Sequence, residues 1–353
     1  MNAPVKTAIA VRAIDFRDAA EVRRIEGFVA EMGGSLFHCP AWLRGVSAGT
    51  GQRAAGLVAE QLGTVTGWLP LTEVRSVLFG KALVSSGFGV GGGILACGND
   101  AARSLAETAK EHAVRGGFGG IELRGGAVPD GWESWSDKHC GFGRALAADD
   151  EAELLAIPRK ARAEVRKGLG FGHRLTVGRG ASDLAAHYAC YSESVRNLGT
   201  PVFPRALFRA MLEAFPDTSD ILTVWHGETP LASVLSFYHD GAVLPFWGGG
   251  VFAARAARAN EVMYYELMCH ARRQGMTRFD FGRSKTGSGP YAFKKNWGFD
   301  PQPLTYAAWT DGGAARRNID PTDASYYRKI ELWKKLPLPL ANTLGPWIAR
   351  GLA

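Results

Sequence analysis

The sequence predicts an α/β (α+β) protein built from two copies of one folding unit, each with a mixed, mostly antiparallel sheet flanked by helices. The chain has 353 residues, which is long for one domain and enough for two separate cores. In each half, strand-like stretches lead through a glycine triplet to a helix and then a further strand. The two triplets, 91–93 and 248–250, lie 157 residues apart. This matched order indicates a duplication.

The first half opens with a charged amphipathic helix over residues 15–32. Two strands joined by a turn at Gly63 follow, and a third apolar stretch runs into the first glycine triplet; they read GLVAEQL, TVTGWLPLTEVRS and ALVSSGFGVGGGILA. The next helix is expected to be capped by Asn99 or Asp100 and leads into the strand GIELRG, in which Ile121 lies 30 residues after the start of the triplet.

The second half repeats this order. Three strands are predicted, reading ILTVWH, ASVLSFY and AVLPFW, and the last ends in the second triplet. A helix expected to be capped at Asn260 follows, and it delivers a strand at Phe279, 31 residues after the start of that triplet. We therefore predict domains at 1–145 and 146–310, with a C-terminal tail over 311–353.

Composition limits the class of protein. Hydrophobic residues make up 46% and charged residues 21%, as in a globular protein, and no run of apolar residues is long enough for a transmembrane helix. The N-terminal residues do not read as a signal peptide. The five cysteines are scattered without a paired motif, so we expect reduced thiols in the cytoplasm and no metal site. The net charge of +7 favours an anionic partner.

Several long motifs carry a resemblance to a known family. They are a glycine triplet and helix leading to FDFGRSKTGSGPYAFKKNWGF, together with IPRKARAEVRKG and ESVRNLGTPVFP upstream. In these motifs the chain resembles the FemAB-like proteins associated with exosortase/PEP-CTERM systems, which are similar to the Fem peptidyltransferases and the GNAT acyltransferases. The resemblance implies two GNAT-like domains in tandem and a cytoplasmic transferase of cell-envelope or exopolysaccharide biosynthesis.

The segment 278–299 is the predicted catalytic region. Transfer of an acyl group to an amine needs a proton acceptor and a positive or hydrogen-bonding group near the carbonyl oxygen. In Fem enzymes a Phe-Lys pair supplies a lysine with that electrostatic role, and the resemblance assigns it here to Lys294. Asp280 is the candidate proton acceptor or partner of Lys294, and Tyr291 is a candidate donor to the substrate. A simple hairpin with solvated lysines remains the alternative.

The same segment also supplies candidate substrate contacts. Arg283 and Ser284 follow the predicted strand end at Gly282, and Lys295 is expected to point away from Lys294 if the segment is extended. A hydroxyl and two cations at a glycine-rich bend are suited to holding an anionic or acyl substrate.

A second cluster is a predicted helix after Pro158. Arg159, Arg162 and Arg166 share one of its faces, opposite an apolar stripe of Ile157, Ala161 and Val165. Such a face is suited to a tRNA backbone or a diphosphate, and a purely solubilising face is the alternative.

A third cluster spans 193–204, where Pro201 and Pro204 fix a loop after a helix. Arg196 and Asn197 stand at the edge of this loop as candidate acceptor contacts, unless the loop is only a rigid connection.

The donor and the acceptor stay open at this level. The donor is either an aminoacyl-tRNA or an acyl-CoA or acyl-carrier protein, and the acceptor is an amine-bearing envelope precursor. The pyrophosphate loop of ordinary GNAT enzymes has no counterpart, because its slot reads ARAARAN without the glycines. A non-catalytic module that recognises a nucleotide-sugar or polysaccharide is a further alternative.

The tail over 326–353 combines basic residues with a proline-broken apolar stretch that contains Trp347. This pattern predicts either contact with an anionic membrane surface or docking onto the first domain. The oligomeric state does not follow from the sequence.

Overall fold

The computed structural model describes residues 8–312 and 324–352. Residues 313–323 of the predicted tail and 1–7 of the first predicted domain lie outside the described part. The contacts within the chain divide it into two compact units. The first unit comprises Met1–Ser136, Leu304–Ile319 and Arg350–Ala353, and the second comprises Asp137–Pro303 and Asp320–Ala349.

The elements of the first unit up to residue 136 are β1 (Ala10–Ala13), α1 (Ala19–Glu31), α2 (Pro40–Thr50), β2 (Arg53–Gln61), β3 (Thr64–Ser76), β4 (Gly80–Ser85), β5 (Leu95–Ala96), α3 (Asn99–Gly116), β6 (Gly120–Arg124) and β7 (Glu133–Trp135). The second unit then supplies β8 (His139–Ala145), α4 (Asp150–Ala156), α5 (Arg159–Leu169), β9 (Arg174–Gly178), α6 (Ala181–Leu198), α7 (Arg205–Ala214), β10 (Ser219–His226), β11 (Thr229–His239), β12 (Ala242–Gly250), α8 (Ala259–Arg273), β13 (Arg278–Lys285), α9 (Gly289–Asn296) and β14 (Pro301–Pro303). The last elements are β15 (Tyr306–Thr310), α10 (Ala324–Lys334) and α11 (Leu338–Ala349).

The sheet of the first unit has the strand order β1-β2-β3-β4-β6-β15-β7, with β5 beside β3. All its ladders are antiparallel except that between β4 and β6, which are joined by a crossover through α3. The alanine-rich side of α3, with Leu105, packs in a core that also contains Leu69 and Leu83.

The sheet of the second unit has the order β14-β8-β13-β12-β11-β10-β9. It repeats the pattern, because β12 and β13 are its parallel pair and α8 is the crossover between them. Its core is rich in aromatic side chains around α8 and β13, including Phe279, Phe281, Trp297 and Phe299. The burial of such side chains contributes about 2–3 kcal/mol each. The predicted duplication of strands, helix and strand is therefore confirmed.

Two strands belong to a different sheet from the one expected. β8 lies within the predicted first domain, but it pairs with β13 and β14 in the second sheet. β15 lies within the predicted second domain, but it pairs with β6 and β7 in the first sheet. Alternating patterns identify a strand without identifying its neighbours, so the chain order alone misplaced both.

Two predicted helix caps are wrong. Asn99 and Asp100 lie in the first turn of α3, and Gly98 is the N-cap residue. Arg258, with a left-handed φ of 54°, precedes α8, while the Asn260 side chain faces the backbone of Gly250. By contrast, α1 begins at a side-chain cap, because Asp18 accepts hydrogen bonds from the amides of Ala20 and Glu21.

The predicted tail contributes two helices to the second unit, where both α10 and α11 pack against α6. Residue Arg350, just after α11, belongs to the first unit, and its carbonyl accepts a hydrogen bond of 2.8 Å from Gln52 Nε2. Among the described residues, no helix is both long enough and apolar enough to cross a bilayer.

Candidate active site

The parallel strands of the second unit separate soon after they meet. β12 and β13 pair only at Ala242 with Arg278 and at Val243 with Phe279. From Asp280 onward, β13 keeps its ladder with β8 on its other side. The ends of the two strands, 244–250 and 280–285, therefore have no ladder with each other, and this break in the sheet is called the gap below. A gap of this kind exposes backbone groups that a ligand can use.

The glycine triplet at the end of β12 allows three side chains from neighbouring helices to lie close to its backbone. A Cβ at Gly249 would lie 2.5 Å from Ser194 Cβ on α6. One at Gly250 would lie 2.6 Å from Asn260 Oδ1, and one at Gly248 would lie 3.2 Å from the Tyr264 hydroxyl. The triplet is thus a packing requirement of the strand that borders the gap.

Lys294 is the buried cation of this region. It lies on α9 and is 8% exposed. Its Nζ donates to the carbonyl oxygens of Gly282 and Arg283, at 3.2 and 3.1 Å. The ammonium also lies 5.4 Å from the ring centroids of Phe142 and Phe281. These contacts hold the lysine at the point where β13 bulges away from regular pairing.

Burial sets the acid–base properties of Lys294 and Asp280. Desolvation lowers the pKa of Lys294 to about 8, although Asp280 raises it, and Arg283 lowers it further. Burial likewise raises the pKa of Asp280, opposed by the Gly282 amide and the charge of Lys294. The amide of Gly282 donates to Asp280 Oδ1 at 2.9 Å. Two perturbed groups that interact at a sheet opening form a candidate catalytic pair.

The conformation of the lysine segment differs from the extended one considered above. Residues 289–296 form a helix whose N-cap, Ser288, accepts a hydrogen bond from the Tyr291 amide. Lys295 is consequently exposed one helical position beyond Lys294, and its Nζ lies 6.0 Å from the Tyr291 ring centroid. The strand also extends beyond Gly282, which has a φ of 70°, and ends at Lys285.

The aromatic wall beside Lys294 includes two tyrosines. Tyr291 is half-buried and packs edge-on against Phe142 at a centroid distance of 5.4 Å. Tyr264, on α8, contacts the rings of Phe281, Phe293 and Trp297. The position of its hydroxyl beside Gly248 makes Tyr264 a candidate donor that the sequence analysis missed. Its place on the apolar stripe of α8 was the available signal, and this signal indicates packing alone.

Two predicted substrate contacts, Arg283 and Ser284, lie in the last three residues of β13, where they pair with β8. Arg283 is half-buried and shares the bulge with Lys294. Ser284 is only 6% exposed, and its Oγ has no hydrogen-bond partner within the described part of the chain. A buried hydroxyl without a partner is uncommon in a folded protein.

The basic helix predicted after Pro158 is present as α5. Val165 and Ile157 are buried and Ala161 packs beside them, which confirms the apolar stripe. Arg159 and Arg166 are exposed, whereas Arg162 is half-buried and donates to the Leu155 carbonyl at 3.0 Å. The three arginines remain on one face of the helix.

The ends of α5 lie beside two elements of the site. At its start, Pro158 Cδ lies 3.1 Å from the position of a Cβ on Gly298, just after α9. At its other end, Gly168 packs against Val262 and Arg258 at the start of α8. Helix α5 therefore extends from the lysine helix toward the N-terminus of the crossover helix, while Arg159 and Arg166 lie on its exposed face, opposite the buried Gly168.

The slot of the absent pyrophosphate loop has a different structure here. Residues Phe252–Arg255 form a short 3-10 helix, and Ala254 is fully buried. Arg258 then forms an ion pair with Glu164 of α5. The Arg258 side chain consequently lies at the start of α8, and a helix N-terminus is the place where free backbone amides can bind a phosphate group.

The third predicted cluster, at residues 193–204, makes contacts that are separate from those of the lysine segment. α6 ends at Leu198, and Gly199 has a φ of 85°, so the predicted loop after the helix is present. The Arg196 guanidinium donates to the carbonyls of Lys334 and Leu336, at 3.4 and 3.1 Å, at the end of α10. This contact makes Arg196 a structural residue, whereas Asn197 is half-buried beside it.

Within residues 8–312 and 324–352, no group of three His, Cys, Asp or Glu side chains is arranged to hold an ion. The five cysteines are free thiols.

In the first unit, a loop occupies the corresponding place. Residues 86–93 follow β4 and pass beside the end of β6, where the Gly93 amide donates to the Arg124 carbonyl at 3.0 Å. Arg124 Nη1 donates to the Gly89 carbonyl at 2.7 Å, and the Tyr306 hydroxyl donates to the Val90 carbonyl at 2.9 Å. Trp42 Nε1 fastens Gly87 in the same way at 3.1 Å. The loop thus closes the gap with the chain's own groups.

Known proteins show the same architecture. Residues 158–295 match the family model of the acetyltransferase (GNAT) domain. The crystal structure of FemX superimposes with a TM-score of 0.64 at 16% identity, covering 84% of this chain and 96% of that chain. A tandem GNAT protein from the clavulanic acid biosynthesis pathway gives 0.59 at 14% identity, with 87% and 100% covered. L-PGS from Bacillus licheniformis gives 0.53 at 14%, with 93% and 96% covered.

These similarities define a tandem GNAT fold, as the sequence predicted. The structural matches have low identity and concern the fold, whereas the domain match over 158–295 supports an acyltransferase. No curated protein sequence matches the chain. The matched range contains α5, the gap between β12 and β13, and Lys294.

Proposed function

We propose that this protein transfers an acyl or aminoacyl group from a phosphate-bearing donor to an amine, at the gap between β12 and β13. The observation that carries the proposal is the position of Lys294, a buried cation with a lowered pKa at the bulge that borders the gap. The match of 158–295 to an acetyltransferase domain and the likeness to FemX support it.

The proposed reaction assigns one task to each group. The amine nitrogen attacks the donor carbonyl, and protonated Lys294 stabilises the negative charge that develops on the carbonyl oxygen. Asp280 accepts the proton that the amine loses, which its raised pKa favours. The bond between the carbonyl carbon and the donor oxygen or sulfur then breaks, and that atom takes up the proton. An amide and a free donor are the products.

Tyr264 and Tyr291 complete the wall against which the acyl group lies. Both rings belong to the aromatic layer around Phe281 and Phe142, so this side of the gap is apolar. An apolar wall excludes water, which would otherwise hydrolyse the donor. Arg283 and Lys295 are the proposed polar contacts at the rim.

We infer that the donor is an aminoacyl-tRNA, with α5 as its phosphate-binding element. Arg159 and Arg166 project from the exposed face of α5, whose ends contact the segment after α9 and the start of α8 through Pro158 and Gly168. The two arginines lie about 10 Å apart along the helix axis, which suits successive phosphates of a nucleic-acid backbone better than a single diphosphate. The acceptor is proposed to be an amine-bearing envelope precursor in the cytoplasm. This assignment, like the pathway, rests on the family resemblance of the sequence.

A second candidate donor is an acyl-CoA or acyl-carrier protein. The domain match favours it, because the family model is that of an acetyltransferase. The occupied start of α8, with its Arg258–Glu164 ion pair, disfavours it.

The donor is tested by binding of bulk aminoacylated tRNA at about 50 and about 300 mM salt, since phosphate contacts weaken steeply with salt. The variant Arg159→Ala/Arg162→Ala/Arg166→Ala is expected to bind at least about tenfold more weakly and with a shallower salt dependence. The matched control Arg115→Ala/Arg205→Ala/Arg209→Ala removes three exposed arginines elsewhere and should bind like the wild type. Absence of tRNA binding at low salt, with binding of acetyl-CoA, would establish the second candidate instead.

A further inference from the structure

Helix α11 buries its small residues and exposes its large apolar ones. Ala341, Gly345 and Ala349 are buried, whereas Leu340, Leu344 and Trp347 are 45, 42 and 49% exposed. The exposed set has the i, i+4, i+7 spacing of one helix face. A helix at the surface of a globular protein ordinarily has the reverse arrangement, with its large apolar side chains in the core.

Close contacts fix this orientation. A Cβ at Gly345 would lie 2.9 Å from the Val202 amide nitrogen and 3.0 Å from Val202 Cγ1, so the backbone of α11 lies directly on the loop after α6. Asn342 Nδ2 also donates to Ser192 Oγ of α6 at 3.3 Å. A larger residue at the buried face would not fit, and the leucines and the tryptophan therefore remain outside.

The charges around this face have one dominant sign. α11 itself contains no charged residue, and between Tyr327 and Arg350 five basic residues accompany one acidic residue, Glu331; the basic ones are Arg328, Lys329, Lys334, Lys335 and Arg350. An apolar strip with basic flanks complements a surface that is apolar beneath and anionic outside. An anionic bilayer has this character, with tryptophan preferring the boundary between the two regions.

We propose that the outward face of α11, defined by Leu340, Leu344 and Trp347, binds the surface of an anionic bilayer. The twelve-residue helix is about 18 Å long and therefore lies in the interface without crossing it. A second copy of the chain is the less suitable occupant, because a twofold contact would bring the two sets of basic residues together. This inference does not depend on the transfer reaction, although it would place the second unit beside lipid-linked acceptors.

The test is flotation of the full chain with vesicles of phosphatidylglycerol and phosphatidylcholine in equal amounts, and with phosphatidylcholine alone. We expect binding to the anionic vesicles only, reduced at least about tenfold by Leu340→Ala/Leu344→Ala/Trp347→Ala and weakened by salt. The control Leu62→Ala/Val77→Ala/Leu78→Ala removes three exposed apolar side chains of the first unit and should bind like the wild type. Circular dichroism of every variant establishes that it is folded.

A second readout follows the tryptophan itself. The emission of the wild type should shift to shorter wavelength with anionic vesicles, and this shift should be absent from Trp347→Phe, which keeps an aromatic side chain for binding. Equal flotation of the wild type and the triple alanine variant would overturn the proposal. So would a dimer in sedimentation velocity that the triple variant dissociates, without any vesicle binding. Donor binding, measured on the same preparations, separates these results from a failure of the proposed transfer.

Discussion

At the scale of single residues, Lys294 is deeply buried, and its pKa of about 8 lies close to neutral pH. Its burial alone would favour the neutral amine, but two carbonyl oxygens, two aromatic faces and Asp280 favour the ammonium. A lysine whose pKa lies this close to neutral pH gains or loses its proton when its surroundings change only slightly. In the proposed reaction, binding of a substrate beside Lys294 would set its protonation state.

His187 provides a prediction about stability at this scale. The side chain is fully buried between Tyr191 and Phe208, and its Nδ1 is 3.2 Å from Ser233 Oγ. Desolvation lowers its pKa from 6.5 to about 3. Because the folded-state pKa lies below the unfolded one, the unfolded chain binds more protons below pH 6.5, and stability is lost as the pH falls from there.

The measurement is urea unfolding between pH 5 and pH 8. Relative to His187→Gln, the free energy of unfolding of the wild type should fall by about 1.4 kcal/mol for each pH unit below about 6. The control His226→Gln alters an exposed histidine and should follow the wild type. Parallel curves for the wild type and His187→Gln would contradict the buried neutral histidine.

Residue identity was easier to predict than residue environment. The family motif pointed to Lys294, but the sequence did not show its burial or its carbonyl partners, because α9 is held by Ser288 and by distant aromatic contacts. Arg196 was expected at the substrate and instead fastens α10, whose position depends on the whole tail. The sequence analysis missed Tyr264 for the same reason, because the neighbour of its hydroxyl, Gly248, lies on another element.

At the scale of elements, the second glycine triplet positions both the strand and the helices that border the gap. A methyl group at Gly249 would overlap Ser194 on α6, which cannot move away without moving the helix. Gly249→Ala should consequently lower the free energy of unfolding by about 1–3 kcal/mol, as overpacking does elsewhere. Urea unfolding measures this loss.

The design includes a control and a rescue. Gly143→Ala in the adjoining part of the sheet adds a methyl group at an ordinary contact distance of 3.7 Å and should cost much less. The double variant Gly249→Ala/Ser194→Gly removes the overlap. Its loss of unfolding free energy should therefore be smaller than the sum of the losses of the two single variants. Strictly additive losses would show that Ser194 is not the obstacle.

Element types were predictable from local pattern, whereas sheet membership was not. The alternation around Phe279 and the helical spacing of apolar residues before it predicted the strand and the helix correctly, although the predicted cap at Asn260 was wrong. The partners of β8 and β15 depend on contacts between residues that are about 140 and 180 positions apart in the chain, such as Ala145 with Arg278 and Arg124 with Tyr306. No local pattern records such a pairing.

At the scale of the whole molecule, the two units share one topology but differ at the gap between their parallel strands. In the first unit, the loop 86–93 fills that place and is fastened by Trp42, Arg124 and Tyr306. In the second unit, the strand ends border a site with a titratable lysine. The two units therefore differ in the groups that lie beside their parallel strands.

This asymmetry predicts a single donor site for each chain. Titration calorimetry with whichever donor binds should give a stoichiometry of about one, because the loop 86–93 occupies the corresponding place in the first unit. A second site of similar affinity, unaffected by substitutions at Lys294, would show that the loop of the first unit opens.

The most direct test of the central claim is the rate of transfer from the bound donor to an extract of amine-bearing envelope precursors, measured against pH for the wild type, Lys294→Met and Lys295→Met. The rate of Lys294→Met should fall by about 10²–10³, the usual cost of removing a group that stabilises an oxyanion. Lys295 is a proposed contact at the exposed rim and not at the carbonyl oxygen, so Lys295→Met should raise the KM while the rate at saturating donor falls by less than about threefold. The wild-type rate should fall as the pH rises through about 8, where Lys294 loses its proton. A Lys294→Met variant as active as the wild type, or a wild-type rate that rises through that pH, would contradict a protonated Lys294 as the catalytic group.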